Sequence, residues 1–123
     1  MLNMNSAVPI YIQIAQWLEN EILVDHLKVD DKVHSQYQLA ELFQVNPATA
    51  GKAITHLIEH QYVYKKRGLG TFVAEGAKEL IQMKRKSTTM EQIISQLIEQ
   101  AKLLGVTETE VIEELKRAFR EEE

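Results

Sequence analysis

The sequence predicts an α+β fold, mainly α-helical with one small β-hairpin. Three observations carry this expectation. Two helical segments follow each other across a connection of about three residues near Gln44. After Gln61 the hydrophobic period changes into two short runs rich in β-branched and aromatic residues, with glycines between them. Helical periodicity then returns near the C-terminus, again as two segments.

The first element is an amphipathic helix over residues 8–24. Ile10, Ile14, Trp17, Leu18 and Ile22 recur at helical spacing, and Pro9 stands near the first turn. Residues 26–34, HLKVDDKVH, read as a polar, turn-rich connection. Ser35 is the expected N-cap of a short helix over 36–43, whose apolar side is Leu39, Ala40, Leu42 and Phe43. The next helix, 47–60, opens with Asn46 as cap and Pro47 at its first position. Ile54 and Leu57 give it a buried side. Its other side carries Ala48, Thr49, Gly51, Lys52 and His56, and a mid-helix glycine costs about 1 kcal/mol against alanine. A second helix so bare is suited to close approach by another surface, and a helix-turn-helix can place it in a DNA major groove.

Residues 62–66, YVYKK, and 70–74, GTFVA, form the expected hairpin. Tyr62, Tyr64, Phe72 and Val73 are expected on its inner side, with Lys65, Lys66 and Arg67 at its tip. A helix-turn-helix followed by a basic-tipped hairpin is the order of a winged helix. Residues 76–88 read as a junction, ending in KRKSTT with its helix-start residues. Met90, Ile94, Leu97, Ala101 and Leu104 then recur at heptad spacing, flanked by Ile93 and Ile98. Gly105 stops this helix, and Thr107 with Glu110 forms a capping box for a last one over 108–121. Its stripe is Val111, Ile112, Leu115, Ala118 and Phe119. Two such short helices cannot hide so wide a stripe against each other. A heptad seam favours a second copy of the same hairpin as the cover, with packing inside the chain as the alternative.

Charge is unevenly spread along the 123 residues. The net charge is −4, but residues 61–86 carry seven basic and two acidic side chains between two acidic stretches. The local field matters more to a phosphate than the total. There is no cysteine, which excludes disulfides, thiolate metal sites and a cysteine nucleophile. No apolar run approaches membrane-spanning length, and the N-terminus lacks the pattern of a signal peptide, so a soluble cytoplasmic protein without membrane partners is expected.

Three stretches resemble the GntR-type winged-helix transcription regulators over about residues 8–74. They are P-I-Y-x-Q-I at 9–14, S-x-x-x-L-A at 35–40 and the distinctive K-R-G-x-G-T-F-V at 66–73. The short two-helix tail is similar to the YtrA-like branch of that family. The resemblance implies a winged helix-turn-helix DNA-binding domain over 1–75 and a helical dimerisation region over 76–123, too short for a large effector domain and left open as an effector region. It further implies a homodimer on a near-palindromic operator, usually a repressor of neighbouring, often transporter, genes. The sequence departs from the family where arginines are usual. Tyr37 and Gly51 stand at such positions, a further arginine is missing at the start of the second helix, and Gln61 replaces the usual glycine after it.

The DNA-facing residues expected from this reading are Ser35, Gln36 and Tyr37 ahead of the connection, and Asn46, Ala48, Thr49, Lys52 and His56 on the second helix. Lys65, Lys66, Arg67, Gly68, Gly70 and Thr71 complete the set on the wing. Tyr37 could donate to a phosphate or pack at the helix start, and Gln36 and Gln38 are similar candidates. Ala48 and Thr49 could meet thymine methyls, and Lys52 and His56 could reach phosphates or base edges. Each missing bidentate arginine removes about 1–3 kcal/mol of discrimination for guanine, so an AT-tolerant operator is expected. The dimerisation residues are Met90, Ile94, Leu97, Ile98, Ala101, Leu104, Ile112, Leu115 and Phe119.

Other classes are less well supported. His56-Leu57-Ile58-Glu59-His60 matches the H-x-x-E-H pattern formally, but no third ligand or supporting helix follows, so neither an enzyme nor a metal site is expected. No cofactor is expected either. A winged helix that docks another protein, without sequence-specific DNA binding, is the competing reading, and salt dependence separates the two. A small-molecule effector is left open. Trp17, Tyr11 or Met90 could line a site for one, although a core role for all three is preferred.

Overall fold

The computed structural model describes residues 2–122. The elements run α1 (Ile10–Leu23), α2 (Gln36–Phe43), α3 (Pro47–Glu59), β1 (Val63–Lys66), β2 (Gly70–Val73), α4 (Ala77–Ser87), α5 (Thr89–Leu104) and α6 (Glu108–Glu122). They divide into two compact units, the first running to Met83 and the second beginning at Lys84.

In the first unit α3 packs against both α1 and α2. Ile14, Leu18 and Ile22 come from one face of α1, Leu39 and Ala40 from α2, and Ala50, Ala53 and Leu57 from α3. Full burial of each large apolar side chain stabilises the fold by about 1.5–3 kcal/mol. The alanines at 50 and 53 let α3 sit close to its neighbours, while Ile54 is only partly buried. Trp17 meets Phe43 and His34 edge-on, with ring centroids 5.2 and 5.5 Å away. Leu42, expected on the apolar side of α2, is exposed, and Leu39 and Ala40 supply that helix's buried residues. The P-I-Y-x-Q-I stretch has a local use for its glutamine. Gln13 bonds the Asn3 amide at 2.6 Å and the Asn3 and Val8 carbonyls at 2.9 Å, tying down the segment before α1.

The hairpin is antiparallel, with Val63 opposite Val73 and Tyr64 opposite Phe72. This corrects the expected inner side. Neighbouring residues on a strand point to opposite faces, so Phe72 and Val73 cannot both face inward. Val63 and Val73 are buried, as is Tyr62 ahead of the strand. Tyr64 and Phe72 instead share the outer face, with ring centroids 5.9 Å apart. The connection before α2 is also more than a turn. Lys32 bridges to Phe72, and the Val33 amide donates to the Thr71 carbonyl at 2.8 Å, so this segment lies along the free edge of β2. The buried Val33 anchors it.

Residues 76–88, expected as a junction, do hold the division between the two units at 83/84, but as a helix. Ala77–Ser87 is helical, and Ala77 and Ile81, one turn apart, are fully buried in the core shared with α1–α3. The first unit therefore extends past the expected boundary at 75/76. Thr88 is the N-cap position of α5, its carbonyl accepting the Gln92 amide at 3.0 Å, but neither hydroxyl of Ser87 and Thr88 caps that helix. Their hydroxyls donate back to the Lys84 carbonyl, at 3.1 and 2.7 Å, and close α4.

In the second unit Gly105 takes a left-handed conformation (φ 68°) that ends α5. Thr107 and Glu110 form the reciprocal capping box of α6, each side chain bonded to the other's amide at 3.2 Å. Among the described residues neither α5 nor α6 contains a buried one. Met90, Ile93, Ile94, Leu97, Ile98, Leu104, Ile112, Leu115 and Phe119 are all exposed, and Ala101 is half-buried. Met90 thus has no core role within the chain.

Candidate nucleic-acid interface

The outward face of α3 is set by its period. Ala50, Ala53 and Leu57 take the inner side, so Ala48, Lys52, Thr55 and Glu59 take the outer one. Together with Tyr11, Gln36, Gly51 and His56 they line a shallow groove. Thr49 and His56 sit on the flank and are half-buried. Thr55 was not among the expected contacts, although its place three residues after Lys52 puts it on the same face. Asn46 caps the helix, its side-chain oxygen accepting the Ala48 amide at 2.8 Å.

Gly51 faces the end of the Gln36 side chain. A β-carbon there would stand 3.4 Å from the side-chain oxygen of Gln36. The glutamine lies over the gap, and the two helices share one surface. Ser35 accepts the Gln38 amide at 3.1 Å and Gln38 answers the Ser35 amide at 2.9 Å. Gln38 is therefore a capping residue. Tyr37 is 69% exposed, which removes a packing role at the helix start.

The wing divides the basic tip. Alternation places Lys65 and Thr71 on the side that faces α2 and α3, and Lys66 on the side of Tyr64 and Phe72. The Lys66 ammonium lies 5.0 Å from the Phe72 ring centre and 5.7 Å from that of Tyr64, a cation–π arrangement. Arg67 and Gly68 are exposed at the turn, where Gly68 has φ 79°. Tyr64 donates to Asp30 at 2.6 Å, and this bond to the carboxylate pushes the phenol above its ordinary value. Between wing, α2 and α3 lies a cleft of about 260 Å³, lined among others by Lys32, Ser35, Tyr37, Thr55, Lys65 and Thr71.

The His56 and His60 rings lie tilted against each other, 39° apart in plane with centroids 4.2 Å apart, and His60 Nδ1 donates to the His56 carbonyl at 2.9 Å. Tyr11 meets His56 edge-on at 6.2 Å. Among the described residues no group of three or more His, Cys, Asp or Glu side chains is placed to hold a metal ion. Nor is any helix long and apolar enough to cross a membrane.

Residues 10–73, from the start of α1 to the end of β2, match the family described as bacterial regulatory proteins, gntR family. The chain belongs to the GntR family. Over 101 residues it is 35% identical to the HTH-type transcriptional repressor YtrA of Bacillus subtilis (strain 168), covering 82% of this chain and 77% of that one. Its fold is similar to that of a GntR family transcriptional regulator from Listeria monocytogenes, with a TM-score of 0.74, 28% identity and coverage of 93% and 98%. The DNA-binding domain AraR(DBD), solved in complex with operator ORX1, matches 60% of this chain and 92% of its own at 29% identity and a TM-score of 0.55.

The GntR assignment makes this chain a DNA-binding transcription regulator and not an enzyme, and it bears out the resemblance carried by the three sequence motifs. The basic-tipped hairpin is the family's wing. Lys32 and Thr55 both line this surface, and neither is among the residues expected from the sequence. Lys32 stands in a loop-like stretch whose pairing to β2 carries no strand periodicity.

Proposed function

We propose that this GntR regulator acts as a homodimer that binds a near-palindromic operator in a sequence-specific way and represses a nearby operon, transporter genes among the candidates. The observation that carries the reading is the shared surface of α3 and the wing. Ala48, Gly51, Lys52 and Thr55 leave the helix low and open, and Lys65 and Arg67 stand beside it on the hairpin. The helix enters the major groove with Ala48, Thr49 and Lys52 towards the bases, with Asn46 and His56 at its margins. Ser35, Gln36, Tyr37 and the wing residues Lys65, Arg67, Gly68, Gly70 and Thr71 track the backbone. Lys66, held over its rings, supports the wing's shape.

The exposed apolar face of α5 and α6 supports dimerisation, since Ile94, Leu97, Ile98, Leu115 and Phe119 lie open on the single chain. The naming of YtrA as a repressor supports the sign of regulation. Selection of bound fragments from random duplex DNA by the full chain tests the reading. An inverted repeat with AT-tolerant arms, occupied by two chains and released by added salt, is the expected result. No enriched sequence, or one chain per selected site, overturns it.

A further inference from the structure

Lys32 and Lys65 reach the same cleft from either side of β2, which is paired to the Lys32 segment on one edge and to β1 on the other. The route of Lys32 depends on Gly70. A β-carbon at Gly70 would lie 2.8 Å from Lys32 Cε, and its φ of 126° is itself a glycine conformation. The Lys32 stem therefore lies against the bare backbone of Gly70, beside the turn of the wing.

Among the described residues neither lysine has an ion-pair or hydrogen-bond partner, in contrast to Lys78, which is paired with Asp25 at 3.0 Å. The acidic neighbours of Lys32 are committed elsewhere. Asp30 accepts the Tyr64 hydroxyl at 2.6 Å, and Asp31 accepts the Lys28 amide at 2.8 Å. No acidic side chain is among the residues lining the cleft, whereas Ser35, Tyr37 and Thr71 bring hydroxyls to it. The start of α2 adds the partial positive charge of a helix N-terminus. Two unpaired cations and several hydroxyls around one concavity are the chemistry of an anion site.

We propose that Lys32 and Lys65 hold one backbone phosphate of the duplex in this cleft, so that the wing and the helix-turn-helix grip the same strand. This rests on the DNA-binding reading above and adds Lys32 to it as a positioning residue. The contact carries no base information and acts equally on every sequence.

The test measures affinity of the full chain for a mixed-sequence duplex and for a selected operator over a series of salt concentrations. Lys32→Met and Lys65→Met keep the aliphatic stems and remove the charges. Each should weaken both duplexes about tenfold at low salt, and Lys32→Arg should restore binding. Lys28→Met, on the same connection but outside the cleft, should leave it unchanged. Because both lysines serve one phosphate, the double variant should flatten the salt slope by about 0.9. A slope change of about 1.8 means two separate phosphates and overturns the shared site. A Lys32→Met protein that is folded by circular dichroism and binds like the parent also overturns it, while leaving the DNA-binding reading in place. If micromolar inorganic phosphate displaces the duplex from the parent but not from Lys32→Met, the cleft serves a free anion and the backbone assignment fails. If the parent ignores every duplex at low salt, the DNA-binding reading fails and takes this inference with it.

Discussion

Gln36 covers Gly51: its side-chain oxygen lies 3.4 Å from where a β-carbon on that glycine would stand. The neighbour is the far end of a flexible side chain, so the fold tolerates a methyl there. Gly51→Ala should stabilise the protein by about 1 kcal/mol through helix propensity. That corresponds to a rise of about 4–8 °C in melting temperature. The same methyl would stand on the face proposed to meet the groove wall, and operator affinity should fall. A variant that melts higher and binds as well as the parent would show that α3 does not approach DNA at Gly51.

Lys52 is exposed at the middle of the outer face of α3, and Thr49 lies on its flank. Replacing both by glutamate places two negative charges against the phosphates. Affinity for the selected operator should fall by at least about a hundredfold, the cost of losing one contact and adding repulsion at two points. Lys52→Glu alone should change stability by no more than about 0.5 kcal/mol, as for an exposed surface position. Electrophoretic shift and thermal melts read the two effects separately. Unchanged binding would remove α3 from the interface.

Tyr64 and Asp30 fasten the outer face of the wing to the connection before α2. The bond to the carboxylate favours the protonated phenol, so the folded value is raised above the ordinary 10.0. A raised value means the contribution is fully present below the unfolded phenol value and is lost as pH rises through the folded one. An NMR titration that follows the Tyr64 ring should show it ionising above the ordinary phenol value. Asp30→Asn should bring it back into line, and Tyr64→Phe should abolish the late transition. A late phenol that survives Asp30→Asn would assign the shift to another cause.

Ile81 tests the revised first unit. It is fully buried in α4 within the core of α1–α3. Ile81→Ala should destabilise by about 2–5 kcal/mol, the range for truncating a buried isoleucine. A chain truncated after Glu75 should be destabilised too, since it loses Ala77 as well. A truncated chain that melts like the parent would return α4 to the role of a linker.

Much of this was legible in the residues because local rules and packing agreed. Ser35, Asn46, Gly105 and the Thr107–Glu110 pair marked helix ends through capping chemistry alone, and each behaves as that chemistry requires. Helical spacing likewise marked Ile14, Leu18 and Leu57 as core. What failed was governed by partners distant in sequence. Val33 and Lys32 look like turn residues until β2 lies beside them. Ala77 and Ile81 are two small apolar signals in a charged stretch, and only the α1–α3 surface makes them a buried face. Composition alone groups Phe72 with Val73 on one inner side, and only the two-residue period of the strand separates them. Lys65 and Lys66 are adjacent and chemically identical. Only the strand register separates the one that faces the cleft from the one that lies over Phe72.

Ile94 and Leu115 bear on dimerisation. Both are nearly half exposed, and neither is among the residues lining the apolar cleft of about 340 Å³ between α5 and α6. A charge at either should leave α5 and α6 helical and burden only a surface that covers them. Ile94→Glu combined with Leu115→Glu should shift the full chain from dimer to monomer in sedimentation, with helix content nearly unchanged. The first unit should remain folded, because its core holds no residue beyond Ile81. Each freed winged helix should still bind a half-site. The loss is the effective concentration that linkage supplies, so affinity for the whole operator should drop by about 10²–10⁴-fold, while an isolated half-site is bound as before. A monomeric variant that retains full operator affinity would detach DNA recognition from dimerisation. A parent chain that sediments as a monomer would leave the apolar face of α5 and α6 to some other partner.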